Sequence, residues 1–197
     1  MSDGKHYRIE PVWKQVTPEL GEEILAFWRA NKAIANEAAA AARVQQAVCV
    51  ARDDDGAIQG VGTAIVKVLP RLRQPMYYYR QYFSRQMRGR NQIRPFYLAA
   101  RDILQAHNAS LEKPESLGLL IELENGKLAS AYSHAYEKAF DSTFIGYSPR
   151  GLTLRVTYFE GARLMPPAPI RAPSLAVRNA RPNPARKPVP RRSSDRS

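Results

Sequence analysis

One cysteine and three histidines leave little room for metal or disulfide chemistry in this chain of 197 residues. Cys49 has no second thiol to pair with, and it sits in the apolar run 47–51, where a buried structural thiol is expected. His6, His107 and His134 are scattered, with no carboxylate or cysteine at ligand spacing, so no metal is expected. No stretch approaches the roughly 18 uncharged apolar residues that a bilayer span needs. The first residues, Met1 to Tyr7, lack the apolar run of a signal peptide, which points to the cytoplasm and away from a membrane. No Ser/His/Asp or Cys/His arrangement suggests a covalent nucleophile.

Acid is also scarce. The net charge is +12, and the chain from Met165 onward carries eight Arg or Lys against Asp195 alone. That segment is rich in proline and poor in anything to bury. A division into a domain at 1–164 and a disordered basic tail at 165–197 is therefore expected, with no loss of stability when the tail is removed. Within the body, eight arginines lie between Arg71 and Arg101 with no acid among them. This field favours anionic partners, including weak attraction of nucleic acid by the 71–101 region and the tail.

The apolar period changes repeatedly along the body. Tyr7–Trp13 alternates as an opening strand. Thr17-Pro18-Glu19 is a helix start, followed by the apolar face Leu20, Ile24, Phe27 and Trp28. A second, alanine-rich helix is expected over 33–46. The β-branched runs 47–52 and 57–68 flank the turn Asp54-Asp55-Gly56. Residues 76–83 form an aromatic strand, and a helix is expected from about Pro95 to His107. Residues 117–123 read as a strand buried on both faces. A helix over 127–140 and a hairpin of 143–147 with 152–159 complete the series. The order β-α-α-β-β-β-α-β-α-β-β predicts an α/β (α+β) domain: a mixed, mostly antiparallel sheet with helices on both faces.

This order resembles that of the GNAT acyltransferase superfamily over about residues 7–160. The segment Tyr82-Phe83-Ser84-Arg85-Gln86-Met87-Arg88-Gly89-Arg90-Asn91-Gln92-Ile93 carries the likeness. A strand ends at Phe83, and five residues later Arg88 opens a pattern that is similar to Arg/Gln-x-x-Gly-x-Gly/Ala before a helix. The two usually small positions are Asn91 and Ile93. The resemblance implies that Phe83, Ser84, Arg88, Gly89, Arg90, Asn91, Gln92 and Ile93 hold the pyrophosphate of acetyl-CoA or another acyl-CoA. Backbone N–H groups at a helix start suit that task. Downstream, Asn125 with Tyr132 seven residues on, and Tyr136-Glu137-Lys138 before Phe140, also resemble the family's pattern.

The resemblance implies a tyrosine that protonates the departing thiolate. Phenols remain protonated at neutral pH. Tyr132 is preferred to Tyr136, four residues on and thus on the same face of the expected helix. Glu122 and Glu124, two apart on the fifth strand, are candidate general bases. The activity implied is direct acyl transfer from a thioester to a small-molecule or protein amine. The alternative is an inactive GNAT-shaped protein that binds nucleic acid or a protein partner through its arginines and tail.

Overall fold

In the computed structural model, residues 7–88 and 92–169 are described. Each element begins where local chemistry supplies a start. Helix α1 (Pro18–Ala30) opens on Thr17, whose hydroxyl accepts from the Leu20 N–H at 3.2 Å. Its buried face is Gly21, Ile24, Phe27 and Trp28. Helix α2 (Glu37–Val44) starts later than the alanine content suggests, because Asn36 caps it by accepting from the Ala39 N–H at 2.9 Å. Strands β1 (Arg8–Pro11), β2 (Ala47–Arg52), β3 (Ile58–Leu69) and β4 (Gln74–Phe83) follow one another in an antiparallel meander. At the β2–β3 turn Gly56 has φ +81°, and Asp53 accepts from the Ala57 N–H at 2.9 Å.

Helix α3 (Ile93–Ser110) leads to β5 (Gly118–Glu122), then α4 (Gly126–Ala131), β6 (Tyr136–Glu137), β7 (Ser142–Tyr147) and β8 (Thr153–Tyr158). One eight-stranded sheet results, in the order β1-β2-β3-β4-β5-β8-β7-β6. Among the described strands only β4 and β5 pair in parallel. Close approach of β5 and β8 depends on Gly118, where a Cβ would stand 2.1 Å from the Thr157 carbonyl oxygen.

Helices cover both faces, as the period changes predict. Ile24, Phe27, Trp28, Ala40 and Val44 from α1 and α2 pack on Val50, Ile58 and Val61. On the other face Phe96, Tyr97, Ala100 and Leu104 of α3 pack on Val48, Cys49, Tyr77, Tyr79 and Phe83. Cys49 is fully buried there, and burial pushes its thiol far above the usual range. No helix among the described residues is long and apolar enough to cross a membrane.

One expectation needs correction. The helix expected over 127–140 stops at Ala131, and the chain turns into the short strand β6, which the sequence reading lacks. The cause is tertiary. The guanidinium of Arg155, only 2% exposed, donates to the carbonyls of Tyr132 (3.3 Å), His134 (2.7 Å) and Ala135 (3.3 Å). Chain that would otherwise bond along a helix axis is thereby drawn onto the sheet.

Past Leu164 the chain still meets the sheet. Met165 joins an apolar cluster with Met76, Tyr78, Leu120, Leu154 and Val156. The buried Gln74 side chain clasps its backbone, donating to Met165 O at 2.8 Å and accepting from Met165 N–H at 2.9 Å. Arg73 forms a second such pair with Ala168, donating from Nε at 2.8 Å and accepting from the Ala168 N–H at 2.9 Å. Contacts thus continue past the expected boundary at Leu164, and the rest of the expected tail, 170–197, lies outside the described residues. A chain ending at Leu164 loses these four hydrogen bonds and one half-buried methionine, roughly 3 kcal/mol. Scanning calorimetry should show it melting several degrees below a chain ending at Pro169.

Candidate functional site

Strands β4 and β5 are paired at only three positions, Tyr77 with Leu119, Tyr78 with Leu120 and Tyr79 with Ile121. Beyond them β4 stays with β3 as far as Phe83 opposite Gly60, and β5 stays with β8 as far as Glu122 opposite Leu154. The sheet therefore splits, leaving a cleft of about 730 Å³ between the two strands. Residues of both alternations line it: Tyr79, Gln81 and Phe83 from the α3 face, Arg80 and Tyr82 from the other. The gap passes through the sheet from one face to the other.

Small residues and aromatic rings shape the α3 side. A Cβ at Gly60 would stand 2.7 Å from the Phe83 ring, and one at Gly62 2.7 Å from the Tyr79 hydroxyl, so both rings lie over β3 only because these positions are glycine. Phe83 meets Phe96 edge to face at 5.1 Å, and Tyr97 meets Phe140 at 5.5 Å. The Tyr97 hydroxyl lies 2.7 Å from Thr157 Oγ1, and burial pushes this phenol up to about 12.

Tyr132 closes this wall. It is the residue after α4, half-buried, with its ring edge to face on Phe140 at 4.9 Å. Its hydroxyl has no hydrogen bond among the described residues. Its backbone is fixed by Arg155, whose guanidinium also donates to the Ser142 carbonyl at 3.1 Å and hydroxyl at 3.2 Å. Tyr136 does not line the cleft. With the helix ended at Ala131, it stands on β6, 52% exposed, donating to Asp141 at 2.8 Å. The two tyrosines do not share a helical face.

The other expected residues divide likewise. Phe83, Arg88, Ile93, Glu122, Glu124 and Asn125 line the cleft together with Tyr132. The Arg88 guanidinium donates to Phe83 O at 3.0 Å and lies 4.9 Å over the Tyr82 ring. Asn125 caps α4 through the Lys127 N–H at 2.9 Å. Ser84 points elsewhere, its hydroxyl on Gln59 at 2.5 Å, where it starts the turn leading to Arg88. The Gln92 carbonyl accepts from Phe96 N–H at 3.1 Å as α3 begins. Gly89, Arg90 and Asn91 lie outside the described residues.

Five of the eight arginines of 71–101 have partners within the fold. Arg73, Arg88 and Arg94 donate to the carbonyls of Ala168, Phe83 and Ala139, while Arg80 and Arg101 meet Tyr78 and Asp102.

Glu122 is the most perturbed carboxylate. Its side chain is 8% exposed. It accepts from Tyr78 OH at 2.6 Å and from Arg150 at 2.8 Å. Burial would push this carboxyl up, but hydrogen bonds from Arg150, Ser148 and Tyr78, with the Arg150 charge, outweigh it and hold the group down at about 2. Such a carboxylate is ionised at neutral pH and a weak base. Glu124, about half exposed, shares the same Arg150 nitrogen at 2.9 Å.

Sequence reasoning assigned no site role to Arg155, Arg150 or Arg80. Arg155 had a visible signal, being the one charge in the strand 152–158 and alternating in phase with Thr153 and Thr157.

A mixed sheet split at its single parallel pair, with helices on both faces, is the GNAT acetyltransferase architecture. The chain is similar to the acetyltransferase of GNAT family from Streptococcus pneumoniae, with a TM-score of 0.51 and 12% identity over 78% of this chain and 100% of that one. It is also similar to a GNAT superfamily phosphinothricin acetyltransferase from Sinorhizobium meliloti in complex with AcCoA. There the TM-score is 0.49 and the identity 16%, over 83% of this chain and 93% of that one. The first likeness establishes the fold. No family model and no curated protein matches the chain.

The Glu122 network carries a pH signature. A carboxyl held below its unfolded value stabilises the folded state above that value, and the contribution is lost as the group protonates. For Glu122 the window runs from its ordinary 4.5 down to about 2. Chemical denaturation across that range should show a smaller loss of stability in Glu122→Gln than in the wild type.

Proposed function

We propose that the protein is an acyl-CoA-dependent N-acyltransferase, most simply an acetyltransferase, acting by direct attack of a primary amine on the thioester. The observation that carries this reading is the slot between β4 and β5, with the Tyr132 hydroxyl, engaged by no described residue, on its wall. Beyond Tyr79, β4 pairs with no strand on the cleft side. That edge can hydrogen-bond an extended amide-bearing chain such as pantetheine, as an unpaired strand edge does for a peptide. Phe83, Ile93, Tyr97 and Phe140 give the slot an apolar wall against an alkyl or acyl group. Arg88 at the mouth offers a guanidinium to phosphate.

In the transfer, the amine nitrogen bonds to the thioester carbonyl carbon as the carbon–sulfur bond breaks. Tyr132 gives its phenolic proton to the leaving sulfur. The proton lost by the amine leaves through Glu124 and solvent at the open end of the cleft and restores the phenol. Glu122, with its low basicity and three donors, is assigned to holding Tyr78 and Arg150 in place rather than to taking that proton.

Isothermal titration with acetyl-CoA tests the binding half, and absence of any heat or thermal shift at millimolar ligand would remove it. For the chemistry, Tyr132→Phe should lower kcat by about 10²- to 10⁴-fold with acetyl-CoA affinity nearly unchanged. Tyr136→Phe, altered on exposed β6, should stay near the wild type. A reversal of those two results would place the proton donor on β6.

A further inference from the structure

The cleft wall on the α1–α2 face carries more positive charge than its own carboxylates balance. Tyr78, just behind the cleft-lining Arg80, is the hub of this charge group. The Lys67 ammonium lies 4.2 Å from the centroid of its ring, and the Arg80 guanidinium carbon 4.7 Å. Arg80 donates to the Tyr78 hydroxyl at 2.7 Å, and that hydroxyl donates in turn to Glu122 at 2.6 Å. One nitrogen of Arg150 already serves both Glu122 and Glu124, at 2.8 and 2.9 Å. Arg80 is left with Glu124 at 3.6 Å, beyond hydrogen-bond reach. Its Nε is buried and has no hydrogen-bond partner among the described residues.

Arg43, half-buried in the last turn of α2, is near enough to feel the charges of Arg80 and Glu124. Burial and then the Arg80 charge push both Arg43 and Lys67 down from their ordinary values. Four cations thus surround two carboxylates, both already engaged by Arg150. The Arg80 side chain is 34% exposed and lines the cleft, and a guanidinium accessible there amid like charges is an arrangement that an anion completes.

Position makes this more than a charged surface. Arg80 is the first residue of β4 after the last β4–β5 pair, and it lines the same slot as Tyr132, from the opposite face of the sheet. We propose that the acyl acceptor carries an anionic group, a carboxylate or a phosphate, beside its amine. Arg80 receives that group, with Lys67 and Arg43 supplying charge behind it. This rests on the acyl-transfer reading above and names the acceptor class for it. The same field disfavours polycationic amines, which bring more positive charge to an unbalanced site.

The test uses matched amines with the full chain and acetyl-CoA, following release of free CoA thiol. Amino acids are compared with their amides, and phosphoethanolamine with ethanolamine. The anionic member should exceed its neutral partner by about tenfold or more in kcat/KM. Arg80→Gln should abolish the preference through KM, Lys67→Gln should weaken it, and Arg80→Lys should restore part of it. The better of the carboxylate and phosphate series identifies the source of the anion.

A second measurement, the rise in melting temperature with N-acetyl amino acids against their amides in wild type and Arg80→Gln, needs no turnover. An Arg80-dependent rise with no acetyl-CoA binding would keep the anion subsite and remove the transferase. Acetyl-CoA binding with neutral amides used as well as acids would overturn the subsite alone. A panel with neither turnover nor an Arg80-dependent shift also overturns it.

Discussion

The early end of the β4–β5 pairing is the constraint on which the site depends. Each strand remains fully committed on its outer edge, β4 to β3 and β5 to β8, so the divergence costs no pairing there. Two glycines, Gly60 and Gly62, let β3 pass beneath the rings of Phe83 and Tyr79. Steric room on one strand thus determines where the next can lean. The split leaves an unpaired strand edge in the middle of a sheet, a feature that proteins otherwise cover or close. Here it is flanked by an aromatic wall on one face and a charged wall on the other.

Two arginines from the C-terminal third hold the cleft in opposite ways. Arg155 is buried and directs its donors to backbone carbonyls, so that the segment 132–135 has a fixed path without regular structure. Arg150 is half-exposed and bridges two carboxylates where β5 ends. The first positions a hydroxyl, and the second takes the close hydrogen bonds of two acids, leaving Arg80 only the longer contact with Glu124 at 3.6 Å. The charge excess near Arg80 follows from that division of partners.

Most of the architecture was legible because local signals agreed with the packing. Thr17-Pro18, Asn36 and Gly56 act as their residue types suggest, and the switches between periods of two and 3.6 reproduce the order of elements up to β5. The sequence misled where a distant residue decided the local structure. Nothing in Tyr132, His134 or Ala135 announces that a guanidinium some twenty residues on will take their carbonyls, so the sequence reads as a longer helix with Tyr136 beside Tyr132. Likewise Met165, among prolines, reads as tail until Gln74 and Arg73 are seen to meet it. For the cleft, the spacing that identified Phe83, Arg88 and Asn125 was local. The grouping of Lys67, Arg80 and Arg150 was not, because it joins two strands and a turn.

The burial of Cys49 gives the protein an internal probe. This single thiol lies in the middle of β2, between the sheet and α3, and is fully covered. Burial also suppresses the thiolate, the only form that alkylating dyes attack. Labelling therefore requires opening of the α3 face, whereas fraying at β6 or movement at the cleft mouth leaves the thiol silent. The unmodified chain can thus report the free energy of that opening through its rate of dye uptake, without an engineered label.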